Sequence, residues 1–223
     1  MKLKRNHKRV LAYFCMPVIF TLLGYFAISL VLAPFIKPYI SVLNLALLQE
    51  DIRFDGEVQE SIFDGNPNQA TGETIKGSDI TLPGYGVLYG KIKVEGTSVD
   101  APLYFGDADK QLKNGAGQYN GSSFPGCGST VLIGGHNQTY FKGLKNIKKG
   151  AAITVTTNYG VYVYEVTGTD VKLNTDKTAF DLQKKEENLV LYTCYPFETI
   201  GLTPQRFFVY AKYISGPKIL IDK

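Results

Sequence analysis

Arginine and histidine all but vanish from this chain beyond residue 53. After Arg53 the only arginine is Arg206, and apart from His7 the only histidine is His136. Lysine supplies the rest of the positive charge, and it cannot imitate the chemistry of either group. Cysteine is scarce too: Cys15, Cys127 and Cys194 are too few for a disulfide framework. Tryptophan is absent, and there are no internal repeats. Acidic residues are missing from positions 1–36, where Lys2, Lys4, Arg5, Lys8 and Arg9 give +5; the remaining 19 basic and 20 acidic residues sum to −1. The basicity therefore belongs to the N-terminal tail, which excludes a nucleic-acid surface.

What is present begins with an apolar run. Val10 to Ile36 holds 27 consecutive uncharged residues, and a membrane-spanning helix needs roughly 20. A cleaved signal peptide has an apolar region of roughly 7–15 residues, so the run reads as an uncleaved anchor, although Ala27-Ile28-Ser29 loosely resembles a cleavage site. Five positive charges before it put the N-terminus in the cytoplasm and the bulk of the protein outside the cell. The expected organisation is a basic cytoplasmic tail (1–9), a transmembrane signal anchor (10–36), an extracytoplasmic linker (37–79) and a catalytic domain (80–223).

Many glycines and Val/Ile/Thr/Tyr runs favour an all-β domain. Strands are predicted at 87–94, 98–105, 130–133, 153–156, 161–166, 189–194 and 206–214, with a hairpin at Asn158-Tyr159-Gly160. Brief helical patterns fall at 139–147 and 178–185. Short strands in this number predict a closed or nearly closed β-barrel of about 7–8 strands with short helices, beside the one N-terminal transmembrane helix.

His136 follows two glycines at the end of an apolar strand. Cys194 ends another, and Arg206 opens the next after Thr203-Pro204. A thiol becomes a useful nucleophile when a neighbouring imidazole or cation favours its ionised form, and acyl transfer needs donors for a developing oxyanion. If the strands carrying Cys194 and Arg206 are antiparallel neighbours, both residues fall at one sheet edge. The pattern predicts Cys194 as nucleophile, His136 as general acid or base, and Arg206 as electrostatic stabiliser or substrate orienter. A papain-like protease would carry its cysteine early and its histidine late, the reverse of this order. A non-catalytic, membrane-tethered β-barrel for partner binding is the alternative of a different class.

Leu191-Tyr192-Thr193-Cys194 resembles the sortase signature Leu-x-Thr-Cys. Ile133-Gly134-Gly135-His136 and Thr203-Pro204-Gln205-Arg206-Phe207 are similar to that family's histidine and arginine segments, and the likeness spans about residues 80–215. Tyr195-Pro196-Phe197 looks most like class D. The resemblance implies a cysteine transpeptidase that cleaves a Leu-Pro-x-Thr-Gly-like sorting signal between Thr and Gly. The thioacyl intermediate on Cys194 is then passed to an amine of a peptidoglycan precursor or, alternatively, of a pilin. His136 would protonate the leaving amine, while Thr193 and Tyr195 would bind substrate. Implied partners are surface proteins carrying the signal, the amine acceptor and the cell membrane of a Gram-positive bacterium. Asp107, Asp109 and Glu165 bear only a loose likeness to the calcium site of class A enzymes; no metal or cofactor is expected. Cys127 lies about nine residues before His136, up to roughly 30 Å along an extended chain, so no disulfide with Cys194 is expected.

Overall fold

The computed structural model describes residues 13, 15–28, 74–197, 199 and 203–220. They fall in two units, within Met1–Leu47 and Leu48–Lys223.

In the first unit, residues 15–28 are helical, and Thr21 Oγ1 donates to the carbonyl of Pro17 (2.8 Å). Apolar side chains stand exposed along the helix, among them Phe20, Leu23 and Phe26. Among the described residues no helix is long and apolar enough to cross a membrane. The rest of the span expected at 10–36 lies outside the described residues, as does most of 1–9 and 37–79.

The second unit is a barrel. Its strands are β2 (Leu88–Val94), β3 (Asp100–Phe105), β4 (Ala116–Gln118), β5 (Thr130–Gly134), β6 (Ala152–Thr157), β7 (Gly160–Leu173), β8 (Asn188–Tyr195) and β9 (Gln205–Ser215). They close in the order β2-β3-β4-β5-β8-β9-β7-β6. Two further strands, β1 (Thr74–Lys76) and β10 (Lys218–Leu220), form a separate parallel pair; β1 lies within the segment expected as linker. Among the described residues of this unit the one α-helix, α1 (Asp109–Asn114), sits between β3 and β4.

Alternation sets which side chains fill the barrel. In β6 and the first half of β7, Ile153, Val155, Tyr162, Tyr164 and Val166 point inward and are fully buried, while their neighbours are partly exposed. On β5 and β8 the inward set is Val131 and Ile133 with Leu189 and Leu191. The outward residues Leu132 and Val190 are buried as well, because Ala179, Phe180 and Leu182 of the β7–β8 segment lie over them. Both faces of this part of the sheet are covered, which is why Leu189-Val190-Leu191 reads as an unbroken apolar run.

Three expectations need correction. The helix predicted at 178–185 is absent: the Asp176 carboxylate accepts from Thr178 N (2.8 Å) and Asp181 from Gln183 N (2.9 Å), and such local bonds compete with helical ones. The pattern at 139–147 yields only a 3₁₀ turn, Lys142–Asn146, with Leu144 and the preceding Phe141 buried beneath it. β7 does not stop at 166 but runs to Leu173, because β9 continues to pair with it after the barrel has no more interior to fill.

Candidate active site

β5 and β8 are parallel neighbours, and β9 runs antiparallel on the other side of β8. The last pair of the β5–β8 ladder is Gly134↔Tyr192, after which Gly135 N donates to Tyr192 O (3.2 Å). Continuing that register by two residues brings His136 level with Cys194. Across the other edge Cys194 is the direct partner of Arg206. Because side chains alternate along strands, residues in step with outward-facing Leu132, Val190 and Phe208 also face outward. Cys194 and Arg206 therefore share one row on the outer face of β8 and β9, and the continued register sets His136, two residues past the end of β5, level with them. All three are half-buried.

The next row down is Gly134, Tyr192 and Phe208. A Cβ on Gly134 would stand 2.5 Å from the Tyr192 ring, so the absent side chain lets that ring lie across β5. Its hydroxyl then reaches Asp107 Oδ2, donating at 2.5 Å. Burial, then the Asp107 carboxylate, raises the Tyr192 pKa and keeps the phenol protonated, with Arg206 opposing weakly. Sequence reasoning missed this pair; the adjacent glycines before His136 were the only signal that something large approaches the backbone there.

His136 has its pKa lowered, chiefly by burial; the Asp109 carboxylate raises it and Lys113 lowers it, both from α1. Its resting form near pH 7 is the neutral imidazole, which can accept a proton. Arg206 Nη1 donates to the carbonyls of Thr203 (2.6 Å) and Gln205 (2.9 Å). The donors on Nε and Nη2 are bonded to no described residue, so the guanidinium is anchored at one end and open at the other.

Thr193 and Tyr195 leave β8 on the face opposite Cys194. Thr193 is 1% exposed, and its hydroxyl donates to Gly135 O (2.7 Å). It pins the strand that delivers His136. Tyr195 stacks near Phe207 (6.4 Å between centroids) and meets Phe197 edge-on. Neither side chain shares the face of the thiol. Cys127 and Cys194 are both free. Cys127 precedes β5 while Cys194 is near the end of parallel β8, which places the two thiols at opposite ends of the barrel. Burial and then Glu187 raise the Cys127 pKa. Among the described residues no three His, Cys, Asp or Glu side chains group as a metal site requires.

A family model described as the Sortase domain matches residues 92–214, more than half of the chain. Sortase D of Bacillus subtilis (strain 168) is 27% identical over 154 residues, covering 67% of this chain and 78% of that protein. Two solved structures are similar at 25% identity. Sortase C of Streptococcus pneumoniae has a TM-score of 0.52, with 57% of this chain and 68% of that chain covered. Sortase A of Corynebacterium diphtheriae has a TM-score of 0.53, with 58% and 61% covered. A Sortase D5 transpeptidase of Clostridium perfringens shares the fold at 22% identity and a TM-score of 0.51, over 57% of this chain and 79% of its own.

Proposed function

The chain belongs to the sortase family and is a cysteine transpeptidase, and on that premise we propose that it cleaves a Leu-Pro-x-Thr-Gly-like sorting signal between Thr and Gly and transfers the acyl group to an amine of the cell wall. The carrying observation is that Cys194 pairs directly with Arg206 across β8 and β9, and that the β5–β8 register continued two residues past Gly134 brings His136 level with Cys194. In this reading a nucleophile, a proton carrier and a multidentate cation meet at the end of the sheet.

In this proposal Cys194 Sγ attacks the threonine carbonyl carbon as neutral His136 takes the thiol proton. The carbonyl electrons move onto oxygen, and the free donors of Arg206 face the resulting oxyanion. Collapse breaks the C–N bond, and the imidazolium returns its proton to the leaving glycine nitrogen. An incoming amine then attacks the thioester, gives its proton to His136, and expels the thiolate, which recovers a proton. Every step reuses one proton between two groups, so a single histidine suffices. The class D assignment draws support from the curated relative, itself a Sortase D.

A membrane location, with the domain outside the cell, is part of the same proposal. Its support is the basic tail, the 27-residue uncharged run and the exposed apolar side chains of residues 15–28. A large exposed apolar surface calls for a non-aqueous partner.

The test incubates the full-length protein in detergent with a Leu-Pro-x-Thr-Gly peptide library, with and without an amine acceptor, and follows products by mass spectrometry. The expected result is a thioester adduct on Cys194, an amide product only when the amine is present, and neither with Cys194→Ala. Hydrolysis that ignores the amine would contradict transfer. No adduct on folded protein would favour a binding module.

A further inference from the structure

The backbone ladder that brings His136 towards Cys194 ends just short of both residues, at Gly134↔Tyr192 and the Gly135 N–H to Tyr192 O bond. Past Gly135 the fastening passes to side chains. Asn137 Nδ2 donates to Pro196 O (3.0 Å) and more distantly to Phe197 O (3.4 Å). Gln138 Nε2 donates to Phe197 O (2.8 Å) and to Thr199 O (3.4 Å). Two consecutive carboxamides after the histidine thus hold three carbonyls after the cysteine, those of Pro196, Phe197 and Thr199. Asn137 is 6% exposed, so its amide is committed to these contacts. The far end of the same β8–β9 connection is held at Thr203 O by Arg206.

We propose that Asn137 and Gln138 are positioning residues for transpeptidation, their amide donors keeping the segment after Cys194 fixed against the turn after His136. The inference rests on the assignment of Cys194 and His136 above. Below the catalytic row, the strand ladder and Thr193 set the spacing of β5 and β8. Above it, among the described residues, these amides supply the hydrogen bonds between the two segments, beside the packing of Phe197 against the core. A thiol and an imidazole that exchange a proton twice per turnover need one fixed separation, and displacement by about 1 Å costs on the order of 100-fold in rate. Both acceptors lie beyond the ladder; Pro196 O also accepts from Thr199 N (3.2 Å), while Phe197 O takes its donors from the two carboxamides. An acidic isostere keeps the shape of each side chain but replaces the donor with an acceptor.

The test measures steady-state transfer to an amine by full-length Asn137→Asp and Gln138→Glu proteins, with Asn137→Ala and Cys194→Ala alongside, and thermal unfolding of each. The expected result is a fall in kcat of about 10- to 100-fold in both isosteric variants. KM should change less than about threefold, at temperatures well below each variant's Tm. If Asn137→Asp does not fold, the more accessible Gln138→Glu carries the test. Wild-type kcat in folded variants, a loss accounted for by the unfolded fraction, or a rise in KM at constant kcat would each overturn the positioning role. Activity persisting in Cys194→Ala would instead overturn the site assignment on which it rests.

Discussion

A methyl group added at Gly135 would stand 2.6 Å from the ring of Phe141, a side chain with no exposed surface. The glycine before His136 is therefore a packing requirement of this barrel. Gly135→Ala is expected to destabilise by about 1–3 kcal/mol through overpacking, read as a lower Tm. Arg206 shows the other side of residue-scale logic. Its Nη1 is held by two carbonyls while its three other donors bond no described residue, and a single ammonium cannot serve both ends. Arg206→Lys is expected to lower kcat/KM by about 10²–10³-fold, with Tm near that of the parent. His136 sets a pH dependence. Because burial lowers its pKa, the unfolded chain takes up a proton near pH 6.5 before the folded one does. Stability contributed by the neutral ring is complete above that pH and falls as pH drops through the window between the two values. Tm measured from pH 7.5 to 5 should therefore fall less in His136→Gln than in the parent.

Strands with alternation or continuous apolar runs were legible as elements, since burial imprints itself on spacing. β6, β8 and β9 were read close to their observed bounds for that reason, and β7 only over its first half, where alternate residues fill the barrel. β4 and α1 were not, because three residues such as Ala116-Gly117-Gln118 carry no period and α1 is short. The predicted helix at 178–185 failed where aspartates bonded the nearby backbone instead. At this scale the contact that bears on the proposed site is Thr193 with Gly135 O, which ties β5 to β8 beside it. Thr193→Val keeps the shape and removes the bond. It is expected to cost about 1–3 kcal/mol in stability, because Gly135 O loses a buried donor, and to lower kcat as His136 loses its register. Denaturant unfolding and steady-state kinetics check the two effects separately.

For the whole molecule, the barrel is what turns three separate signals into one site. Gly135 and Thr193 are 58 residues apart in sequence, joined only because β5 and β8 pair in parallel after β6 and β7 have closed the far side. The helix of residues 15–28 belongs to a unit separate from the barrel. On the proposed membrane location, removing residues 1–36 is expected to release the protein from the membrane fraction while leaving kcat within about twofold, since the barrel carries the candidate site; sedimentation with a turnover assay tests both. The sequence by itself determined the all-β class and the inner faces of the long strands, and it singled out the three candidate site residues, because periodicity and residue scarcity are local properties. Tertiary structure alone decided that Cys194 and Arg206 share one outward row, with His136 level with them, and that Thr193 and Tyr195 face away from it. It alone also brought Asn137 and Gln138 to the loop after the cysteine. Those facts depend on strand register and barrel closure, which arise from pairings between distant segments and leave no periodic trace along the chain.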